Sequence, residues 1–368
     1  CIPEKIGLRK QYDPTPRLMG AHNLLGNCGG AVSGERLLLC YETPHLKYYD
    51  RDIVDDIHSC ALEMGLVVTL YELDFDPYIA RLPPGLDHAM DESDLTIFLA
   101  RAADQMRFSS FKMDKRTIIS YALSGDSLAS TFGSVNYAAM VSLKNVIDDV
   151  IFSAELLEIS CPAGTAFNGS VRGPSNGGDA NLLRFPMLVN TPAPADNFSG
   201  ICALPGFLVG TGSKYYTPYG ITFADQLLVH FQGNKLLSFE GSKADEQKAD
   251  AHLDFISEKF SIERNFVHSW HLGIHPGCYF DKRATKNFES WSGSAFGNPR
   301  ILHMHTCGAY APGEICWNVV DPTVKADGIN LWENGVLHPE RAPGGADLLE
   351  EYADLKKIFE NPDRRIGV

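Results

Sequence analysis

Four short apolar segments in the first third of the chain constrain the fold more than any other feature. They are Arg36–Glu42 (RLLLCYE), Leu66–Leu73 (LVVTLYEL), Asp94–Ala100 (DLTIFLA) and Arg116–Ala122 (RTIISYA). Each is the length of a buried strand, and helix-length connections separate them. The first connection, Asp52–Met64, places Ile53, Ile57 and Leu62 on one side of a helix. A second helix is expected at Val146–Leu157. Strand, helix, strand at this spacing predicts βαβ units and a mainly parallel, Rossmann-like sheet in an α/β fold. The glycine-rich stretch Gly26–Gly34 comes before its strand, whereas a phosphate cradle follows a strand and opens a helix, so it reads as a connection.

The texture changes near Ser160. As far as Ser199 the chain is rich in Gly, Pro, Asn and Ser, as in segments that join domains or line sites. Strand-like pieces follow at Gly200–Val209, Gln226–Gln232 and Lys235–Glu240, with Gly233-Asn234 as a hairpin turn. Helices are expected at Ala244–Phe260 and Gly345–Phe359. A chain of 368 residues is long for one core. The expected division is an N-terminal α/β domain over 1–158 and a C-terminal mixed α+β domain over 159–368 that carries the site.

Charge narrows the partners. With 46 acidic against 32 basic residues, the net charge of −14 repels phosphate backbones, so no nucleic-acid partner is expected. No apolar run approaches the roughly 20 residues that span a bilayer, so no membrane partner is expected either. Cys1–Lys10 is charged and lacks an apolar signal core, and the chain is read as cytoplasmic. The nine scattered cysteines include no C-x-x-C pair and read as thiols rather than a disulfide framework.

Five of the twelve histidines fall between His268 and His305. His268, His271 and His275 lie in HSWHLGIHPG, and His303 and His305 in LHMHTCG. Neutral imidazole is a common ligand for Zn, Fe, Cu and Ni. Gly273 and Pro276 argue against a long helix, so the first three belong to a turn or strand end. His303 and His305 alternate as on a strand and share a face. One loop histidine with two strand histidines would leave open positions on a metal, as catalytic sites require.

The neighbours offer further chemistry. Cys307 and Cys316 are potential ligands, although a buried free Cys usually acts as a small hydrophobe. Glu314 could be a general base or hold a histidine in place. Tyr215, Tyr216 and Tyr219 could line a pocket or the edge of a core. No G-x-S-x-G or H-E-x-x-H motif is present, and carboxylates are not clustered beside the histidines in sequence.

The stretches Asn23–Glu42 (NLLGNCGGAVSGERLLLCYE) and Leu62–Leu73 (LEMGLVVTLYEL), with HLGIHPG, LHMHTCG and LWENGVL (Leu331–Leu337), resemble the thermophilic-type leucine aminopeptidase-like metalloenzymes. That family also contains 2,5-dihydroxypyridine dioxygenase. Three departures matter. His271 stands where the family has a ligating glutamate. The family's His-x-Asp pair falls on His303-Met304-His305 or on Cys316-Trp317-Asn318, without its aspartate. The segment Phe185–Pro194 carries no acid. A two-metal peptidase site is thus dismantled, and what remains suits one metal.

The resemblance therefore implies a mononuclear non-haem Fe(II) dioxygenase acting with O₂ on a small hydroxylated (hetero)aromatic. His271, His303 and His305 would be its ligands, His275 an acid/base or reserve ligand, and His268 an outer partner. The alternatives are a Zn- or Mn-dependent aminopeptidase-like hydrolase with Glu314 as base, and a non-catalytic family member. A homodimer or larger homo-oligomer is also implied.

Overall fold

The strand Leu95–Leu99 (LTIFL) holds four large apolar side chains and one threonine, and every position is buried. This strand lies inside a five-stranded, wholly parallel sheet in the computed structural model, which describes residues 15–76, 83–106, 115–171, 182–211, 214–309 and 312–368. Across the sheet the order is Val67–Leu73, Arg36–Glu42, Leu95–Leu99, Arg116–Ser120 and Leu183–Phe185. Residues of both parities are buried because helices cover both faces. Leu37 and Leu39 join the main core with Ile53 and Ile57 of the helix Arg51–Glu63. Leu38 and Cys40 pack on the other face with Leu86, Met90 and Phe98. The fifth strand comes from beyond residue 159 and is laid beside Arg116–Ser120 by the connection that contains the eight-stranded sheet's first strands.

Two antiparallel sheets complete a mixed α/β architecture. An eight-stranded sheet runs from Lys235–Glu240 through Leu228–Gln232, Ser199–Ala203, Ala166–Gly169, Leu157–Ser160, Thr323–Ala326 and Ile329–Glu333 to Val336–Leu337. A six-stranded sheet has the order Gly220–Thr222, Phe207–Val209, Glu314–Val320, Ile301–Cys307, Val267–Leu272 and Ala193–Pro194. The period of two along a strand divides this second sheet by chemistry. Trp270, Met304 and Trp317 are fully buried in the main core. There Trp270 packs edge-on against Phe198 at 5.3 Å and Trp317 against Phe231 at 6.1 Å. The alternate residues, His271, His303 and His305, face the other way.

Several sequence expectations are corrected. The helix expected at Val146–Leu157 is Tyr137–Ser153, started early by Asn136, whose side chain accepts from the Ala138 and Ala139 N–H groups. Leu157 opens a strand instead. Gly200–Val209 is two strands in different sheets, because Gly206 turns the chain at φ 84° between Ser199–Ala203 and Phe207–Val209. The expected final helix is two, Gly345–Glu351 and Ala353–Glu360, broken where Tyr352 adopts extended backbone. The hairpin at Gly233-Asn234 is present, with Gly233 at φ 57°. Among the described residues no helix is long and apolar enough to cross a membrane.

Candidate metal centre

Strand register builds the site. His271 pairs directly opposite His303, and His305 lies two residues along the same strand. Three imidazoles from two neighbouring strands therefore crowd one patch of one face. His271 is near the end of the strand Val267–Leu272, so of the expected turn or strand end the second is found. The His271 and His303 ring centres are 4.0 Å apart, and those of His271 and His305 4.8 Å. The His271 Nε2 lies 2.5 Å from His303 Nε2 and 2.9 Å from His305 Nε2.

The outer nitrogens decide what this convergence means. His271 Nδ1 donates to the main-chain oxygen of Asn190 at 3.1 Å, since a carbonyl can only accept. His305 Nδ1 donates to the Glu314 carboxylate, whose other oxygen accepts from Thr211 Oγ1. With both Nδ1 atoms donating outward, it is the Nε2 atoms of the two rings that face each other. His303 stacks on Phe296 at 4.4 Å and has no hydrogen-bond partner for Nδ1 among the described residues. Burial holds the His303 ring neutral, its pKa well below the usual range, with His271, His305 and Arg184 adding to the effect. The donor set, three imidazole nitrogens with a carboxylate and a carbonyl behind two of them, suits a divalent transition metal. These three residues form the one group of potential metal ligands found among the described residues.

The patch opens on a cavity of about 110 Å³. Its far wall is made by segments that leave the carboxyl ends of the parallel strands: Tyr48 and Tyr49, Arg101 and Asp104, Tyr121 and Leu123, and Arg184 on the fifth strand. Ligands of open α/β sheets gather at such ends, most often where neighbouring strands lead outward in opposite directions. Glu42 and Arg101 occupy that point here. The Arg101 Nη2 meets Glu42 at 2.8 Å and its Nη1 meets Glu289 at 2.8 Å. Burial works against the Arg101 charge, and the two carboxylates outweigh it and push its pKa up. Gly293 also lines the cavity, and a Cβ there would lie 2.5 Å from the Tyr48 hydroxyl.

The remaining sequence candidates lie elsewhere. His268 is not among the cavity-lining residues, because its Nε2 donates to the Cys307 carbonyl at 2.8 Å and its ring packs on Phe266. His275 lies past the strand end and is fully buried against Phe132. Its Nδ1 accepts from the Gly277 N–H at 3.1 Å, and burial pushes its pKa down to about 3. Neither is placed to exchange protons with a molecule in the cavity. Burial pushes up the thiol pKa of Cys307, to about 11, and that of Cys316. Tyr216 donates to the Glu314 carbonyl at 2.7 Å, and the Tyr219 hydroxyl meets Ser292 Oγ at 3.0 Å, so both tyrosines brace the wall. Tyr215 is buried in the main core. Glu314 does reach a histidine, although nothing in its sequence neighbourhood shows the contact.

Sequence reasoning missed Asn190, Thr211, Phe296, Arg101, Arg184 and the Tyr48–Tyr49 pair. A rule naming the residues just past each predicted parallel strand would have found Arg101. The others are set by tertiary contact alone.

No protein-family model matches the chain, and no sequence among curated proteins does. Solved structures do share the fold. The 2,5-dihydroxypyridine dioxygenase from Pseudomonas putida KT2440 is similar over 90% of this chain and 98% of its own, with a TM-score of 0.59 and 12% identity. AmpT from Thermus thermophilus covers 87% of this chain and 98% of its own, with a TM-score of 0.47 and 11% identity. At such identity the first of these likenesses establishes a distant relation in fold.

Proposed function

We propose that this protein is a mononuclear metal-dependent oxidoreductase, a dioxygenase of small hydroxylated aromatic or heteroaromatic molecules, with His271, His303 and His305 as the metal ligands. The observation that carries the reading is the convergence of the three imidazoles, whose ligand atoms lie within 4.8 Å of one another, with the His271 and His305 Nδ1 atoms hydrogen-bonded outward. The dioxygenase-like fold favours iron over zinc or manganese. Fe(II) held by three ligands would keep positions open for O₂ and a substrate oxygen and would supply the redox chemistry.

The chain's own residues then have defined tasks. Glu314 and the Asn190 carbonyl hold the His305 and His271 Nδ1 protons, which keeps both Nε2 atoms basic. Phe296 holds the His303 ring flat and keeps water from that side. Tyr48, Tyr121 and Leu188 give the cavity aromatic and aliphatic walls suited to a planar ring. Arg184 supplies positive charge beside His303, favouring a substrate bound as an anion. A hydrolytic reading would need Glu314 as base, but both of its oxygens already accept hydrogen bonds.

The test is the metal content of tag-free protein after anaerobic reconstitution, followed by oxygen uptake with dihydroxylated aromatics. A single iron per chain and uptake with such a substrate are expected. Zinc or manganese with amide hydrolysis would move the protein to the hydrolases. No metal under any condition would end the reading.

A further inference from the structure

The backbone beside His271 departs from a regular ladder in one place. Residues 188–190 run antiparallel to 272–274: Ile274 N–H donates to Leu188 O at 2.8 Å, Val189 is bridged to Gly273, and Asn190 N–H donates to Leu272 O at 3.3 Å. In such a ladder Asn190 and Leu272 should exchange two main-chain bonds, so that Leu272 N–H returns to Asn190 O. It does not. Leu272 N–H donates to the Asn190 side chain, at Oδ1, at 2.7 Å. The displaced main-chain oxygen of Asn190 accepts from His271 Nδ1 instead. The other end of the Asn190 amide donates to Thr191 O at 2.8 Å, and the residue is completely buried.

The same peptide unit is gripped from its far side. The Asn190 carbonyl and the Thr191 N–H belong to one planar group and point in opposite directions. Thr191 N–H donates to Asp148 Oδ1 at 2.8 Å, and Thr191 Oγ1 to Asp148 Oδ2 at 2.7 Å. Lys144, one turn earlier on the helix Tyr137–Ser153, donates to Asp148 at 2.7 Å and to Thr191 Oγ1 at 2.6 Å. A carboxylate at the N–H end polarises the carbonyl at the other end.

We propose that Asn190 and Asp148 are positioning residues for His271. The Asn190 amide stands in for its own carbonyl in the ladder, and Asp148 aims the freed carbonyl at His271 Nδ1, fixing the Nδ1–H tautomer. Asp148 is then to His271 what Glu314 is to His305, with a peptide group interposed. The consequence for metal affinity rests on the reading of the three imidazoles as ligands, whereas the tautomer assignment does not.

The experiment is imidazole ¹⁵N NMR of the metal-free, histidine-labelled full chain, paired with Co(II) titration of the same samples. The wild type should carry the His271 proton on Nδ1. Asp148→Asn, close to isosteric, should shift His271 toward the Nε2–H form and weaken Co(II) binding about 10- to 100-fold. Asn190→Ala should do the same more strongly, while Asp149→Asn, exposed on the same helix, should change neither readout. A wild-type His271 protonated on Nε2 would overturn the proposal, as would Asp148→Asn leaving tautomer and Co(II) affinity unchanged. An Nδ1–H wild type that never binds Co(II) would uphold the tautomer assignment and overturn the metal reading instead.

Discussion

The two walls of the cavity treat polar groups in opposite ways. On the parallel-sheet side the charge at the strand ends is internally satisfied: Arg101 is held by Glu42 and Glu289 and lies over the Tyr48 ring at 4.3 Å. On the antiparallel side three imidazoles are turned on one another, and His303 Nδ1 is buried without a partner among the described residues. Asn318, beside His303 on the next strand, is fully buried, and neither amide atom has a partner among the described residues. Buried polar groups are normally paired, so His303 Nδ1 and the Asn318 amide stand apart from the opposite wall. On the proposed reading the first wall is scaffold and the second the working surface.

Variants sharpen or break that contrast, and the largest effect is expected at the imidazoles. His303→Ala and His305→Ala should each abolish metal retention in elemental analysis and leave cooperative thermal unfolding in place. Full metal occupancy in both variants would mean the working surface has been misplaced. Next comes the scaffold wall. Arg101→Ala strands the Glu42 carboxylate, whose side chain is 1% exposed, and should cost about 3–5 kcal/mol in urea unfolding without changing metal content. If metal were lost with stability untouched, the two walls would have exchanged roles.

A smaller effect is expected at Glu314→Ala, which removes the acceptor for His305 Nδ1. Metal affinity measured by chelator competition should fall about 10- to 100-fold. The last prediction concerns buried histidines outside the cavity, whose effect is read in stability and spread over the pH scale. Burial lowers the pKa of His275 to about 3 and of His252 to about 4, whereas both regain values near 6.5 when unfolded. A depressed folded-state value means the unfolded chain takes up protons first as the pH falls. Their stabilising contribution is therefore complete above pH 6.5 and is lost as the pH falls from there toward 4 and 3. Each should cost about 1.4 kcal/mol per pH unit in that window. Replacing His252 by Phe should flatten the slope of urea stability between pH 6.5 and 4. An unchanged slope would show that these rings are not held neutral.

Much of the parallel sheet was legible in the chain. Runs such as RLLLCYE and DLTIFLA have no second reading once both faces must be apolar, and the strands fall within a residue or so of the expected bounds. The break between Ser199–Ala203 and Phe207–Val209 was not legible, because both pieces are apolar and only the sheet they join tells them apart. The histidine cluster was legible as a density of ligands, and the pair at 303 and 305 as a shared strand face. The outlying pair was not separable: His268 and His275 sit as close to His271 in sequence as any ligand would. A register shift beside His268 and the strand end before His275 take them off the cavity face.

What the chain by itself determined is therefore local and periodic: strand and helix content, the parallel sheet, and which segments carry imidazole. Those properties follow from spacings of two and 3.6 residues, which any reader of the sequence can count. Tertiary structure alone decided the register that sets His271 opposite His303, the arrival of Glu314 and Asn190 behind the rings, and the Arg101 wall across the cavity. These contacts join residues from 9 to 188 positions apart. Non-local pairing depends on how whole faces pack, and no window of the sequence contains that information.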